Sequence, residues 1–233
     1  MEVKNYHKVD PGSELCLETQ YIEKIEKYSK LVSCETKIAI YWSRWKLWSL
    51  LSLDWVKEQD GEVSLLQSAK ANEMSILGDM MVGTIPPLSI RLMTDPDKPR
   101  AVDKDGEVEF TIGDVSILCN GSHLTDSKEK KIAIFLIQFG GWPVSDPQPV
   151  IDDEELIYLE MTCEPPEYAD QPFQTVGWMS SMISRQYDSL TTVAGNVEKI
   201  SPDVKPGNLG VSIPQTHESK NLPLWRFYQQ LAP

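Results

Sequence analysis

The sequence predicts an α+β fold with an N-terminal helical bundle, a central antiparallel β-sheet or sandwich, a long C-terminal helix and an extended arm. Three observations carry that expectation. Apolar residues recur at helical spacing before residue 84, and five short β-branched or aromatic runs follow between 88 and 163. An apolar repeat in alternating steps of three and four then spans 176–200. The regions implied are 1–84 (helical), 85–170 (β-rich), 171–200 (a long helix with coiled-coil spacing) and 201–233 (the arm).

The first predicted helix is 14–31, where Leu15, Ile22, Ile25 and Tyr28 sit among Glu and Lys in an amphipathic pattern. The second, 35–58, holds Trp42, Trp45, Trp48 and Trp55, four of the seven tryptophans. On a helical wheel Ile38, Tyr41, Trp42, Trp45, Trp48, Trp55 and Val56 share a face, and Ile40, Leu47, Leu50 and Leu51 form a second apolar patch. A helix apolar nearly all round is expected to be buried, with Trp45 and Trp48 as its candidate partner contacts. The segment between Lys37 and Leu53 is basic, which suits an anionic membrane surface, but it lacks the polar face of an interfacial helix. A membrane is therefore the least favoured partner. Asp60-Gly61 ends this helix, and a third runs from 63 to 82 with Leu66, Ala69, Met74, Leu77 and Met81 on one side. Gly83 is its expected C-cap, and Pro86-Pro87 bars continuation.

The predicted strands are LSIRLM (88–93), VEFTI (108–112), VSILC (115–119), KIAIFLIQF (131–139) and ELIYLEMTC (155–163). KIAIFLIQF is apolar almost throughout, which places it as a central strand covered on both faces. Beyond Phe173, Val176, Met179, Ile183, Gln186, Leu190, Val193, Val197 and Ile200 form an a/d repeat whose one polar member, Gln186, would set the register of a coiled coil. These eight are the candidate oligomerisation residues. The alternative is a helix laid along its own chain. Gly177, Gly195 and Thr191-Thr192 oppose a continuous helix. From Ser201 the chain is rich in Pro, Gly and polar residues, as an extended arm would be. It ends in an aromatic cluster with Leu224, Trp225, Phe227, Tyr228 and Leu231, where Trp225 and Phe227 are candidate partner contacts.

The net charge is −13, from 35 acidic and 22 basic residues. That charge opposes nucleic acid as a partner, and Lys128–Lys131 reads as a solubilising flank of an apolar run. Cys16, Cys34, Cys119 and Cys163 contain no CxxC pair and are expected to be reduced, structural thiols. The opening MEVKNYHKVDPGSEL has no apolar h-region, and no run is long enough to cross a bilayer, so a cytoplasmic (or virion) location is expected. His7, His123 and His217 are isolated, and Cys119 with His123 has no evident oxyanion donor. The stretch DPDKPRAVDKDGE fails as a calcium loop, since a loop with its glycine at Gly106 would have Ala101 and Ile112 at its first and twelfth positions. No catalytic residue, metal site or cofactor is predicted, and the chain is expected not to be an enzyme.

Pro165-Pro166-Glu167-Tyr168 forms a PPxY sequence. It resembles the ligands of WW domains, in which adjacent prolines pre-set the extended conformation that an aromatic groove reads. It is also similar to the late-domain motif with which some enveloped-virus matrix proteins recruit ubiquitin ligases. That four-residue resemblance implies a WW-domain partner held by Pro165, Pro166 and Tyr168. Two functions are thus expected. The first is a structural or assembly protein that self-associates, such as a virion or matrix-like component. The second is a cytosolic adaptor or regulatory protein docking other proteins through PPEY and its aromatic faces.

Overall fold

The computed structural model describes residues 1–102, 108–153, 155–214 and 216–229. The chain is mixed α+β and divides into two compact units. The first comprises Met1–Met81, Trp178–Ser184 and Phe227–Pro233; the second comprises Val82–Gly177 and Arg185–Arg226.

The first unit is built on a β-hairpin, not on a helical bundle. Lys37–Trp42 pairs antiparallel with Leu47–Ser52, and Glu2–Tyr6 adds in parallel beside Lys37–Trp42. The expected tryptophan helix is thereby overturned: residues 43–46 are a turn, and only Leu53–Glu58 (α2) is helical. The register pairs Ile38 with Leu51, Ile40 with Ser49 and Trp42 with Leu47. Side chains of this set join Ile22 and Ile25 of α1 (Thr19–Val32) and Val56 of α2 in one buried core. The alternate set, Ala39 with Leu50 and Tyr41 with Trp48, faces the other way, and there Tyr41 stacks on Trp48 at 4.8 Å. Because both faces are apolar, no alternation betrays the strands, whereas β-branched and aromatic residues favour a pleated surface.

The outer edge of Leu47–Ser52 is closed by side chain and backbone together. Asn72 Oδ1 accepts from Leu50 N (2.9 Å), Asn72 Nδ2 donates to Trp48 O (3.2 Å), and Glu73 N donates to Leu50 O (2.7 Å). The buried Glu73 carboxylate pairs with Lys37 Nζ at 2.5 Å. An edge satisfied in this way offers no template for another strand. The predicted helix 63–82 is likewise absent. In its place are the four-residue helix α3 (Leu65–Ser68), a 3₁₀ turn at Met74–Leu77 and the strand Met81–Thr84.

In the second unit an antiparallel sheet has the order Ser122–His123, Ile112–Cys119, Leu88–Thr94, Glu155–Cys163, Gln148–Asp152. Asn120 and Gly121 both have positive φ (47° and 75°) and make the tight turn after Cys119. KIAIFLIQF is not in the sheet. It forms most of helix α4 (Ser127–Phe139), which buries Ile132, Ala133, Phe135, Leu136 and Ile137. Asp126 caps that helix, accepting from Lys128 N and Glu129 N at 2.8 and 3.0 Å. The capping residue and Glu129 three positions on were the signal for a helix that the apolar run itself concealed.

The long C-terminal helix and coiled coil are also overturned. Val176 lies in the strand Gln174–Trp178, α5 runs only from Met179 to Thr191, and Thr192–Val193 turns back on Asn196–Val197 through Ala194 and Gly195, both at positive φ. Nor is the segment after 201 simply an arm. It returns as the strand Leu224–Phe227, which lies beside Met81–Thr84 in a three-stranded sheet completed by Gln174–Trp178. Among the described residues no helix is long and apolar enough to cross a membrane.

Gly83 sits in that strand and is not a helix cap. A Cβ there would come 2.8 Å from Phe173 Cδ2 and 3.0 Å from Gln174 O, and Phe173 is held by stacking on Trp225 at 4.9 Å. Gly83→Ala is therefore expected to lower stability by about 1–3 kcal/mol, the usual cost of overpacking. Urea denaturation that returns the wild-type midpoint would contradict this packing.

Candidate functional site

The second face of the hairpin opens onto a cavity of about 350 Å³ in the first unit. Ala39 and Trp48 form its floor, Met74 and Leu77 one side, and Met179 and Ile183 of α5 the other. Thioether and aliphatic walls of this kind adapt to differently shaped apolar groups. The volume lies within the range of pre-formed binding cavities.

One wall is polar, and its groups form a single chain of hydrogen bonds. Trp48 Nε1 donates to Ser184 Oγ (2.8 Å), Ser184 Oγ donates to Ser180 O (2.9 Å), and Ser180 Oγ donates to Asp79 Oδ2 (2.7 Å). Asp79 Oδ1 also accepts from Ser180 N (2.8 Å) and Met80 N (3.0 Å). The carboxylate thus satisfies a free backbone donor in the first turn of α5 and stands where the helix dipole favours negative charge. Burial nevertheless outweighs these bonds and holds the Asp79 carboxyl above its ordinary pKa. Ser181 Oγ donates to Lys46 O, so Ser181 and Ser184 fasten α5 to the hairpin, while Ser180 ties it to Asp79.

Three candidates from the sequence meet in this cavity: Trp48, Met179 and Ile183. The remaining ones disperse. Trp45 is exposed in the hairpin turn, Val176 is buried in its strand, and Gln186 Oε1 accepts from Gly210 N. Trp225 stacks on Phe173, and Phe227 ends the strand Leu224–Phe227 partly exposed. Leu231 and the 103–107 part of the acidic stretch lie outside the described residues. Asp79, Ser180 and Ser184 carried no motif, and Met74 and Leu77 figured only as part of one side of the predicted 63–82 helix. Only the pairing of residues near 79 with residues near 180 makes them a site.

The second unit carries two further surface features, the PPEY segment and the apolar residues that follow α5. In PPEY, Pro165 is buried, while Pro166 is exposed and Tyr168 is 59% exposed. Tyr168 Oη donates to Glu164 Oε2 (2.9 Å), and that bond raises the phenol's pKa. Further on, Leu190, Val193, Val197 and Ile200 are 38, 56, 73 and 95% exposed. The Tyr187 hydroxyl donates to Ile200 O, and Thr191 O accepts from Glu198 N (2.9 Å) and Lys199 N (3.2 Å), which ties hairpin to helix end.

Burial raises the pKa of the Cys119 thiol and pushes Cys163 up to about 11, so neither supplies a thiolate near neutral pH. His123 is exposed and pairs in the sheet with Leu118, away from any nucleophile–base arrangement with Cys119. Among the described residues no group of three or more His, Cys, Asp or Glu could hold a metal ion.

Asp79→Asn tests the polar wall. Asn Oδ1 can keep both backbone donors, and Ser180 Oγ can turn to accept from Nδ2, while the cost of burying a charge disappears. With its folded pKa raised, wild-type Asp79 loses stability as pH climbs from the ordinary aspartate range through the raised value; the penalty is constant above it. The stability of Asp79→Asn relative to wild type should therefore grow across that window in denaturant titrations from pH 3.5 to 7.5. A difference flat in pH would refute the assignment. Compared with protein-family models, curated proteins and solved structures, the chain finds no match, and its functional reading rests on this geometry.

Proposed function

We propose that the protein is a non-enzymatic structural or assembly protein that self-associates. The observation that carries this reading is the apolar surface made by Leu190, Val193, Val197 and Ile200, four large aliphatic side chains within eleven residues. Exposed aliphatic side chains gathered on one short segment favour an interaction site over the same residues scattered singly. A narrower role as a virion or matrix-like component draws support only from the PPEY resemblance.

Light scattering over a hundredfold concentration range tests it. The wild type is expected at multiples of 26.4 kDa that increase with concentration, and Val197→Asp with Ile200→Asp is expected to weaken association at least tenfold. A monomer throughout would overturn the reading.

The second reading, an adaptor that docks a WW-domain protein, is favoured by the exposure of Pro166 and Tyr168. Under it, an isolated WW domain binds the full chain, and Tyr168→Ala abolishes binding without changing stability, since that ring is on the surface. Equal affinity for both forms would discard PPEY as the recognition element.

A further inference from the structure

We infer that the apolar cavity of the first unit is the receptor for the Val193–Ile200 hairpin of a second copy, so that copies join head to tail. This rests on the self-association proposed above and names its two surfaces.

The shape of the hairpin leads to the cavity. Thr192 pairs with Val197 and Val193 with Asn196, so Val193 and Val197 point from opposite faces of a two-stranded ribbon. Ile200 follows almost fully bared. The patch is therefore a protrusion with apolar groups on both sides. Two such protrusions meeting face to face would cover one side of each and leave the other in water. A concave partner covers both.

Area leads the same way. At roughly 100 Å² for a fully exposed aliphatic side chain, the four exposures amount to roughly 250 Å² of apolar surface. A specific interface buries about 800 Å² on each partner. These four side chains alone fall well short of that, so the contact has to enlist surface beyond them. Insertion into the cavity adds the walls supplied by Met74, Met179 and Ile183 and the rim at Leu77, which is itself 60% exposed. The chemistry also matches: the hairpin presents aliphatic β-branched groups, and the cavity presents thioether and aliphatic walls that can repack around them. The contact is heterologous, because the protrusion and the cavity are different surfaces. Its repetition makes rings or filaments instead of closing at a dimer.

Two single variants of the full chain and their mixture test this. Leu77→Arg puts a charge at the cavity mouth, and Ile200→Asp puts one on the hairpin. Both positions are exposed, so folding is expected to survive; circular dichroism checks it, and Val197→Asp replaces Ile200→Asp if needed. Each variant alone is expected to be monomeric where the wild type assembles. Mixed, they should form a one-to-one pair and nothing larger, because each retains the surface the other lacks. Light scattering that shows Leu77→Arg assembling like the wild type while Ile200→Asp is monomeric would mean that patch meets patch, and would overturn the inference. A monomeric mixture would overturn it too. If both variants assemble like the wild type, self-association stands but runs through another surface. A wild type that never assembles removes the proposed function itself.

Discussion

The first unit depends on one constraint: the Lys37–Ser52 hairpin is apolar on both faces and must be covered on both. Ile38, Ile40, Trp42 and Leu51 are buried against α1 and α2 on one side. Each is nearly inaccessible to water, and burial of side chains this large is the principal favourable term in folding. Trp42 satisfies its indole N–H on Ser49 Oγ at 3.0 Å, and Ser49 contacts Ser68 at 2.9 Å, so the polar groups inside this core are partnered. The other face, with Ala39, Leu50 and Trp48, is covered in part by the start of α5, and the remainder is the cavity.

The cavity is thus the uncovered portion of a surface that folding could not leave fully exposed. Its polar wall follows from the same geometry. A helix that begins against an apolar sheet brings unsatisfied N–H groups with it, and Asp79 answers two of α5's donors, the Ser180 N–H and hydroxyl. The cost is a desolvated carboxylate, whose pKa burial moves up in spite of the hydrogen bonds it accepts. The result is an apolar space bordered by acceptors that are already engaged within the protein.

The 176–200 repeat divides between two physical fates. Val176 and Met179 are buried, Ile183 lines the cavity, and Gln186 is engaged by Gly210. Leu190, Val193, Val197 and Ile200 lie on the surface. The spacing that suggests a coiled coil arises from a strand, a helix of thirteen residues and a hairpin laid end to end. Gly177 and Gly195, which opposed a continuous helix, fall where strand joins helix and where the hairpin turns. The exposed half is the surface on which the proposed self-association rests.

Some features were decided by local sequence alone. The amphipathic pattern of Ile22 and Ile25 made a helix, Asp60-Gly61 and Asn120-Gly121 made turns with positive φ, and the runs at 88–93, 115–119 and 155–163 made strands. The helix and the turns depend on interactions within a few residues, whereas the strands have a local β-preference that distant partners complete. Where a segment is apolar on every side, as in 37–52 and 131–139, its period vanishes, and the choice between strand and helix passes to whatever covers it. Tertiary structure therefore decided that the tryptophan segment is a hairpin and that KIAIFLIQF is a helix. It alone created the cavity, because Asp79 and Ser180 are 101 residues apart and acquire a joint role only when the chain returns.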